Sequence, residues 1–498
     1  MLMPSRQNAS QLAQGAGVAL MGRFLGRFLS VLGDVIAARI LGPAIFGLYA
    51  IGWAVFRLVE LIAPLGFDMG VLRHGSRYLN QDDGKFKSVL LQSILAPFFF
   101  SLTLAVLFYF SAPWFAGSLF NKPDLVYVFR FISIAFPLSA LLSIVGSALR
   151  LTQVMKYSVI VQDLGQPLVA LILLGVFYLF SMRLTGVLLS DVLSYGVCVA
   201  LGCYYLTILF PVVFDPRVKI SAIGKELYAF SLVTSLAGMF STLVFWVDRF
   251  FVGYFFSAAD MGVYQAVSQI SVIFAVVLGS LNRVVVPMFA SLFHGGKISA
   301  MEEIFQVSTR WGFYLSAPIL LTLSIAPREA LFVVYGAAYA RGAPVLLALV
   351  FGQFFNLITG PVVPLLVLSG LQNYVLGLSA MAFSLNVALL WLLIPRYGLL
   401  GAAGATSIAL AAFFIAAILI AKWKIGVLPY DRRLLKGAFA FGIAATTLFL
   451  FRDAFQSWSP LYVLTFQGIL GAATFAGVLL ALKLDQADKD LLKSLLPK

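Results

Sequence analysis

Arginine and acidic side chains recur inside long apolar stretches of this chain, where charge is costly. The first stretch, residues 16–41, carries Arg23, Arg27 and Asp34. Because a helix turns about 100° per residue, these three side chains fall within about 40° of one another. A charge at the centre of a bilayer costs roughly 3 kcal/mol or more, so such residues normally face a protein interior or a water-filled cavity. The stripe predicts a polar cavity inside a membrane protein.

Three further apolar stretches carry charged or amide side chains suited to the same kind of cavity. These side chains are Arg57, Glu60, Asp248, Gln265, Gln269 and Arg283. Guanidinium groups suit a phosphate, because their planar donors bind two oxygens at once and they stay charged. The arginines predicted to bind an anionic head group such as a pyrophosphate are Arg23, Arg27, Arg57 and Arg283.

The acidic and amide side chains have different predicted roles. Asp34, Glu60 and Asp248 could pair with the arginines, or take up a proton or a sodium ion as the arginines exchange partners. Gln265 and Gln269 are predicted to line the cavity. The alternative is a set of fixed ion pairs that only hold helices together.

Charges near the ends of the stretches have a simpler interpretation. Arg39, Asp68 and Arg249 are predicted to extend their side chains toward the membrane surface. Arg130 and Asp163 stand alone in their stretches and are assigned no role.

The chain lacks the residue patterns of an enzyme or a metal site. Its two histidines, His74 and His294, lie far apart at the edges of apolar stretches, and Cys198 and Cys203 lie within one stretch. The sequence contains neither a phosphate-binding glycine loop nor a nucleophile motif. We predict no catalytic residues, no metal ligands and no bound cofactor, and therefore a protein that is not an enzyme.

The stretches that carry these residues are long enough to be membrane-spanning helices. The chain of 498 residues is 61% hydrophobic and only 11% charged, which excludes a soluble globular protein. A span needs about 20 apolar residues. About fourteen stretches qualify, and they are residues 16–41, 44–72, 88–110, 125–149, 158–180, 186–210, 227–255, 261–288, 304–326, 344–368, 373–394, 399–421, 434–451 and 460–482. The predicted fold class is an all-α polytopic membrane protein.

Basic residues in the connections predict the orientation of these helices. The N-terminus, every second connection and the C-terminus together hold about twenty Lys and Arg residues, and the other connections hold about six. Because basic connections stay in the cytoplasm, both termini are predicted to be cytoplasmic, in a multi-pass protein of the cell (inner or plasma) membrane. This asymmetry also accounts for most of the net charge of +14, so no nucleic-acid partner is expected.

An internal repeat divides the predicted helices into two lobes. Residues 41–49 recur as residues 256–264 with the Gly-x-Tyr pattern kept, and the regions of Gly186 and Gly401 are related by the same offset of 215. A period that holds six helices makes a parallel repeat. The predicted organisation is an N-terminal six-helix lobe at 1–215, a C-terminal six-helix lobe at 216–425, and two further helices with a cytoplasmic tail at 426–498.

Several motifs resemble those of the polysaccharide-biosynthesis flippase family, which handles lipid-linked oligosaccharides such as O-antigen repeat units. Residues 38–50, followed by residues 65–70, resemble the opening of that family. Residues 247–249, followed by residues 262–264, resemble its seventh helix and turn, and residues 394–406 resemble the start of its twelfth helix.

The resemblance implies membership of the multidrug/oligosaccharidyl-lipid/polysaccharide exporter superfamily. It implies two six-helix lobes, alternating access and, as in many flippases, extra C-terminal helices. The related lipid II flippases hold a pyrophosphate with arginines on helices one, two and eight, and the resemblance implies the same arrangement here. The residues on comparable helices here are Arg23 or Arg27, Arg57 and Arg283.

The resulting prediction is a flippase that moves a polyprenyl-pyrophosphate-linked oligosaccharide from the cytoplasmic to the outer leaflet, for cell-surface polysaccharide synthesis. The expected partners are this substrate, membrane lipids and other polysaccharide assembly proteins, and the coupling ion is left open between a proton and sodium. One alternative is a cation-coupled small-molecule (drug) exporter, which would favour an acidic, aromatic cavity. Another is a membrane polysaccharide polymerase, for which the chain lacks a large extracytoplasmic loop.

Overall fold

The computed structural model describes residues 6–152, 154–221, 225–243, 246–451, 454 and 458–482. Side chains are described from residue 21 onward, apart from those at 236–238, 240, 241, 283 and 284. Within these ranges every regular element is a helix, which confirms the all-α prediction. The chain separates into two compact units, residues 1–262 and 263–498.

The first unit is built from long helices joined by short turns and π-helical segments. Its α-helices are α1 (Arg6–Ile62), α2 (Phe67–Gly70), α3 (Ser76–Tyr78), α4 (Asp83–Trp114), α5 (Leu125–Arg150), α6 (Met155–Ser158), α7 (Gly165–Leu179), α8 (Arg183–Leu209), α9 (Glu226–Leu243) and α10 (Val247–Phe255). Its π-helical segments are Val71–Gly75, Phe115–Leu119 and Val159–Asp163, and a 3-10 turn covers Pro211–Val213.

The second unit continues in the same way after α11 (Ala258–Ser271), which begins in the first unit and ends in the second. Its helices are α12 (Ile273–His294), α13 (Ile298–Ile325), α14 (Pro327–Tyr335), α15 (Ala343–Thr359), α16 (Val362–Leu368), α17 (Gln372–Lys424), α18 (Leu434–Leu450) and α19 (Pro460–Ala481), with a 3-10 segment at Ala337–Gly342. The predicted lobe boundaries rest on the sequence repeat rather than on compactness, and they stay a prediction.

Nine helical segments of the described chain are long and apolar enough to cross a membrane, or ten if the bent pair α13 and α14 forms one span. Two of them, Met21–Ile62 and Gln372–Lys424, have 42 and 53 residues. Since a crossing needs about 20 residues, each is long enough for two. Both change direction at a glycine in the left-handed region, Gly42 with φ 71° and Gly398 with φ 63°. Helical structure is present in each of the fourteen predicted stretches, and the number of crossings stays a prediction.

The two copies of the Gly-x-Tyr element contact each other at equivalent positions. A Cβ atom on Gly47 would overlap the carbonyl oxygen of Ala258, and a Cβ atom on Gly262 would overlap that of Pro43. The pairs 43 and 258, and 47 and 262, are both separated by the repeat offset of 215. The contact is therefore reciprocal between the two copies. It agrees with the repeat seen in the sequence, and it requires glycine at both crossing positions.

An aromatic stripe on α1 leads from this contact toward the middle of the helix. Its rings follow one another at centroid distances of 5.9, 5.9 and 4.7 Å, and they are Phe46, Tyr49, Trp53 and Phe56. Phe56 also packs against Phe136 of α5 and Tyr195 of α8, at 6.1 and 5.6 Å. The stripe fixes the rotation of α1, and therefore the direction in which the next residue, Arg57, points.

A buried ion pair anchors the connection before α18 in the second unit. Arg310 of α13 is fully buried, and its Nη1 donates to Oδ2 of Asp431 at 2.6 Å. The other carboxylate oxygen of Asp431 accepts from the backbone N–H of Leu434 at 3.0 Å, which caps α18. The sequence analysis assigned Arg310 no role, because its partner lies 121 residues away.

Substituting Gly47 tests the reciprocal crossing. Gly47→Ala places a methyl group where the Ala258 carbonyl lies, so the two backbones must separate, and we expect a loss of about 1–3 kcal/mol in stability. Thermal unfolding in detergent measures it. Gly33→Ala is the control, since no atom lies within 4 Å of its added methyl. Equal melting temperatures for the two variants would contradict a tight crossing.

Neutralising Asp431 tests the buried pair. Asp431→Asn removes the ion pair between Asp431 and the buried guanidinium of Arg310, which should cost about 3–5 kcal/mol. Arg310→Met combined with Asp431→Asn should recover much of that loss. Asp82→Asn is the matched control, because Asp82 also caps a helix, accepting from the backbone of Lys85 at 2.9 Å, but is exposed to solvent. A loss no larger than that of the control would show that the pair is not structural.

Candidate functional site

Arg57 and Glu60 form the centre of the candidate site on α1. Nη1 of Arg57 lies 2.5 Å from Oε2 of Glu60, one helical turn away. Their side chains keep 30% and 26% of their surface accessible, so the pair borders open space within the protein. The predicted pairing of an intramembrane arginine with Glu60 is present in the structure.

Two tryptophans hold the guanidinium group of Arg57 in place. Its Cζ lies 5.1 Å from the ring centroid of Trp53 and 5.7 Å from that of Trp246. Arg249 approaches the same Trp246 ring, with its Cζ at 4.6 Å. These distances are those of cation–π contacts, which strengthen when water is displaced. Trp246 therefore links Arg57 to Arg249, and the sequence analysis had not singled it out.

Asp248 and Arg249 begin α10 and neutralise each other. Nη1 of Arg249 donates to Oδ1 of Asp248 at 3.0 Å, and both side chains are buried. Asp248 pairs with Arg249 rather than with one of the predicted head-group arginines, and the prediction that Arg249 extends to the membrane surface is wrong. The ring of Trp246 and the carboxylate keep its guanidinium group inside the protein. Arg39, in contrast, is exposed, as its prediction required.

Lys122 anchors the far end of α10. Its Nζ donates to the carbonyl oxygens of Phe120 and Gly253, both at 2.9 Å. A lysine at the last turn of a helix satisfies carbonyl groups that lack a helical donor. Burial lowers the pKa of the Lys122 ammonium below its ordinary value. The contact holds α10, and with it Asp248 and Arg249, at a fixed position.

Arg27 and Asp34, two of the three residues of the predicted stripe, lie within electrostatic range of this group. Arg27 is half-buried and within electrostatic range of Arg57, Asp34 and Arg249. Asp34 is the carboxylate that offsets the repulsion among these guanidinium groups. Two of the predicted head-group arginines, Arg27 and Arg57, therefore share one region of the first unit.

An acidic residue that the sequence analysis missed completes the group. Asp191 of α8 accepts a hydrogen bond from the buried hydroxyl of Tyr49 at 2.9 Å. Asp34 and Arg57 lie within electrostatic range of it. Asp191 is the one acidic residue of its apolar stretch, and that was the available signal. It has no charged residue on its own helix face, so a search for stripes could not find it.

Arg23 belongs to a different group. Its Nε lies 3.4 Å from Oδ2 of Asp163, and half of its side chain is exposed. Arg150 lies within electrostatic range of both residues. Asp163, which the sequence analysis left without a role, is thus the partner of Arg23.

The residues predicted on the stretch 261–288 are divided by a break. Gln265 is buried and Gln269 half-buried on α11, which ends at Ser271. Arg283 lies on the next helix, α12, and its side chain is outside the described residues. The roles predicted for these three side chains stay predictions.

A cavity of about 260 Å³ opens beside Glu60 in the first unit. Its walls come from α1, α2, α5 and α9 and from the turn after α1, and they include the carboxylates of Glu60 and Asp68. Glu60, Pro64 and Asp68 all line it, although α1 ends at Ile62 and Asp68 lies on α2. Asp68, which was expected to reach the membrane surface, is half-buried at this wall.

The charged groups gathered in the first unit are not mainly arginines. Among the described residues, the group around Trp246 contains three guanidinium groups, those of Arg27, Arg57 and Arg249. Its four carboxyl groups belong to Asp34, Glu60, Asp191 and Asp248. Arg57 and Arg249 are each paired with a carboxylate, so an anion that binds at their paired nitrogen atoms must displace that carboxylate.

The chain is similar to known proteins in sequence and in fold. A family model described as "Polysaccharide biosynthesis protein" matches residues 12–293. The succinoglycan biosynthesis transport protein ExoT of Rhizobium meliloti (strain 1021) is 22% identical over 352 residues, which cover 68% of this chain and 65% of that protein. The match thus spans slightly less than two thirds of that relative.

Solved structures of two transporters share the fold. The lipid II flippase MurJ in an inward closed conformation matches with a TM-score of 0.70 at 14% identity, over 92% of this chain and 97% of that chain. An inward-facing multidrug resistance MATE family transporter of the MOP superfamily matches with a TM-score of 0.67 at 15% identity, over 82% and 98%. At such identities the likeness concerns the fold.

Removing the Tyr49 hydroxyl tests the hydrogen bond to Asp191. Tyr49→Phe leaves a carboxyl group inside the protein without its donor, so we expect a loss of about 1–3 kcal/mol in stability, measured by thermal unfolding. Tyr127→Phe is the matched control, because its hydroxyl bonds Thr185 Oγ1 at the same 2.9 Å on the exposed surface. If the two variants lose equal stability, the Tyr49–Asp191 hydrogen bond contributes no more to stability than a hydrogen bond on the exposed surface.

Proposed function

The chain belongs to the polysaccharide biosynthesis protein family, and from this premise we propose that it is a flippase. It moves a polyprenyl-pyrophosphate-linked oligosaccharide from the cytoplasmic to the outer leaflet by alternating access, with both termini in the cytoplasm of an inner or plasma membrane. It acts as a transporter and not as an enzyme. The name of the succinoglycan transport relative supports a cell-surface glycan as cargo.

The observation that carries the proposal is the placement of Arg57. Arg57 lies on a helix that is long and apolar enough to span a membrane. Its side chain is partly accessible, and its guanidinium group contacts the rings of Trp53 and Trp246. Its Nη1 donates a hydrogen bond to Glu60. Its Nε is buried and has no hydrogen-bond partner among the described residues. One pyrophosphate oxygen could replace Glu60 at Nη1, and a second oxygen could accept from Nη2 of the same guanidinium group. This is the paired geometry in which guanidinium groups bind phosphates.

The ion pairs of the site give the proposal a coupling step. When pyrophosphate displaces Glu60 from Arg57, the carboxylate loses its counter-charge inside the membrane, where an unpaired charge is costly. Uptake of a proton or a sodium ion by Glu60 restores neutrality. Asp34 and Asp248 can exchange in the same way with Arg27 and Arg249. We propose that such an exchange couples transport to a proton or sodium gradient.

The remaining parts of the proposal concern its partners. The lipid tail of the substrate stays among membrane lipids while the charged head crosses within the protein. Other polysaccharide assembly proteins supply and consume the lipid-linked oligosaccharide. The described residues contain no group of three or more His, Cys, Asp or Glu placed to hold a metal ion.

A second candidate function is a cation-coupled exporter of small organic cations. One observation favours it, which is the excess of carboxyl groups over guanidinium groups around Trp53, Trp246 and Tyr49. Acidic groups beside aromatic rings bind organic cations well. The two functions differ in the sign of the ligand, so competition by pyrophosphate and by a quaternary ammonium compound separates them.

Leaflet accessibility in proteoliposomes tests the flippase proposal. Liposomes carry purified protein and a labelled polyprenyl-pyrophosphate oligosaccharide, and an added hydrolase cleaves only sugar in the outer leaflet. We expect protein-dependent cleavage that increases with a proton or a sodium gradient. Arg57→Ala should reduce its rate at least about ten-fold, because it removes charge-assisted hydrogen bonds to the pyrophosphate.

Arg130→Ala is the matched control for this experiment. Arg130 also lies on an apolar helix and stacks on an aromatic ring, that of Tyr109 at 5.1 Å, but it is exposed. Its removal should leave the rate unchanged. A folded Arg57→Ala protein that flips at the wild-type rate would exclude Arg57 from pyrophosphate binding.

A further inference from the structure

The cavity beside Glu60 has a wall chemistry that the pyrophosphate proposal does not use. Besides the two carboxylates, four hydroxyl side chains line it, and these are Ser143, Thr234, Ser235 and Thr242. Its apolar lining comes from Leu61, Pro64, Met69 and Met239. Residues from four helices therefore surround a space that is lined by both polar and apolar groups.

The backbone adds acceptors to the same wall. Pro64 has no N–H to donate to the carbonyl of Glu60. Leu65 donates to the carbonyl of Ile62 rather than to that of Leu61. Two carbonyl groups of cavity-lining residues, Glu60 and Leu61, thus lack their usual helical donors. Inside a membrane such irregular backbone is tolerated where it borders a cavity.

The break that frees these carbonyls is a strained one. Leu65 adopts φ 51° and Gly66 φ 73°, and the first of these is unusual for a leucine. Gly66 is also in close contact with the backbone of α9, where a Cβ atom would overlap the carbonyl oxygen of Ser231. Strained backbone persists where the surroundings enforce it, and it concentrates at functional sites. Here it shapes the wall of the cavity.

The wall is rich in acceptors, so its ligand must be rich in donors. Two chemical classes meet that requirement, a cation and a polyhydroxyl compound. A bound metal ion draws its oxygen ligands to within about 2.6 Å, so its site is about the size of one water molecule, roughly 30 Å³. The cavity, at about 260 Å³, is several times larger than that and approaches the smallest pockets for organic ligands. Its volume favours the polyhydroxyl compound.

We propose that this cavity, lined by Glu60, Asp68, Ser143 and Thr234, binds the hydroxyl groups of a sugar in the lipid-linked substrate. The inference rests on the proposed function, because it assumes a pyrophosphate at Arg57. Glu60 belongs to both sites, so a sugar bound in the cavity lies directly beside the pyrophosphate. The apolar residues Leu61 and Met239 contact the C–H face of the ring. This cavity selects the sugar attached to the pyrophosphate.

A comparison of two lipids tests the inference. The probes are a polyprenyl pyrophosphate that carries one hexose and the same lipid without sugar, and binding to purified protein in detergent is measured for each. Wild-type protein should bind the hexose lipid more tightly. The double variant Asp68→Asn, Thr234→Val should lose about ten-fold in affinity for the hexose lipid and keep its affinity for the bare pyrophosphate.

Thr103→Val is the matched control for Thr234→Val. Both threonine hydroxyls donate to a backbone carbonyl one turn earlier, at 2.8 Å, but Thr103 is exposed on the surface of α4. Its removal should leave both affinities unchanged. Thermal unfolding of each variant confirms that the fold is kept.

The outcomes separate this inference from the proposed function. If the double variant binds both lipids as the wild type does, or loses affinity for both equally, the sugar site is excluded while pyrophosphate binding stands. If wild-type protein binds neither lipid, the proposed function itself fails and the inference with it. Stabilisation by sodium alone that is lost in Asp68→Asn would identify a cation site and overturn the sugar assignment.

Discussion

A guanidinium group inside a bilayer must be neutralised where it lies, because an unpaired charge in hydrocarbon is costly. This constraint organises the first unit of the protein. Arg57 pairs with Glu60 on its own helix and reaches Trp246, and Arg249 pairs with Asp248 beside the same ring. The contacts tie α1 to α10 through Trp246. Neither helix can shift relative to the other without separating a charge from its partners, so the charges fix the packing that surrounds them.

The irregular backbone follows from the same constraint. The chain of α1 changes direction at Gly42 and breaks again after Ile62, at Leu65 and Gly66. A helix that continued unbroken would keep the carbonyl group of Leu61 bonded to the N–H of Leu65, whereas Pro64 leaves that of Glu60 without a helical donor in either case. The break exposes acceptors beside the intramembrane ion pair instead, and the cavity lies next to them. Charge, strained backbone and open space therefore coincide in one region, as expected of a site that handles a polar ligand within a membrane.

The sequence predicted features that depend on spacing within one helix. The pairing of Arg57 with Glu60 was predictable, because the helical period alone decides which side chains of one helix share a face. Partners on other helices were not predictable, because they depend on tertiary packing. Asp191 beside Tyr49, Asp163 beside Arg23 and Asp431 beside Arg310 are separated from their partners by 142, 140 and 121 residues. The position of Arg249 near the end of a stretch suggested the membrane surface, whereas its neighbours bury it.

The pairing of Arg57 with Glu60 and of Arg249 with Asp248 bears on how anion binding can be coupled to a cation. An arginine-rich cavity would bind an anion without further exchange. At the paired nitrogen atoms of this group, a bound anion must displace a carboxylate, and that carboxylate then favours a proton or a cation. By thermodynamic linkage, cation uptake favours anion binding by the same factor. Loss of the cation on the opposite side would weaken anion binding there and promote release. One set of residues, Arg57 with Glu60, can therefore bind the cargo and couple it to a gradient, with no separate ion site required.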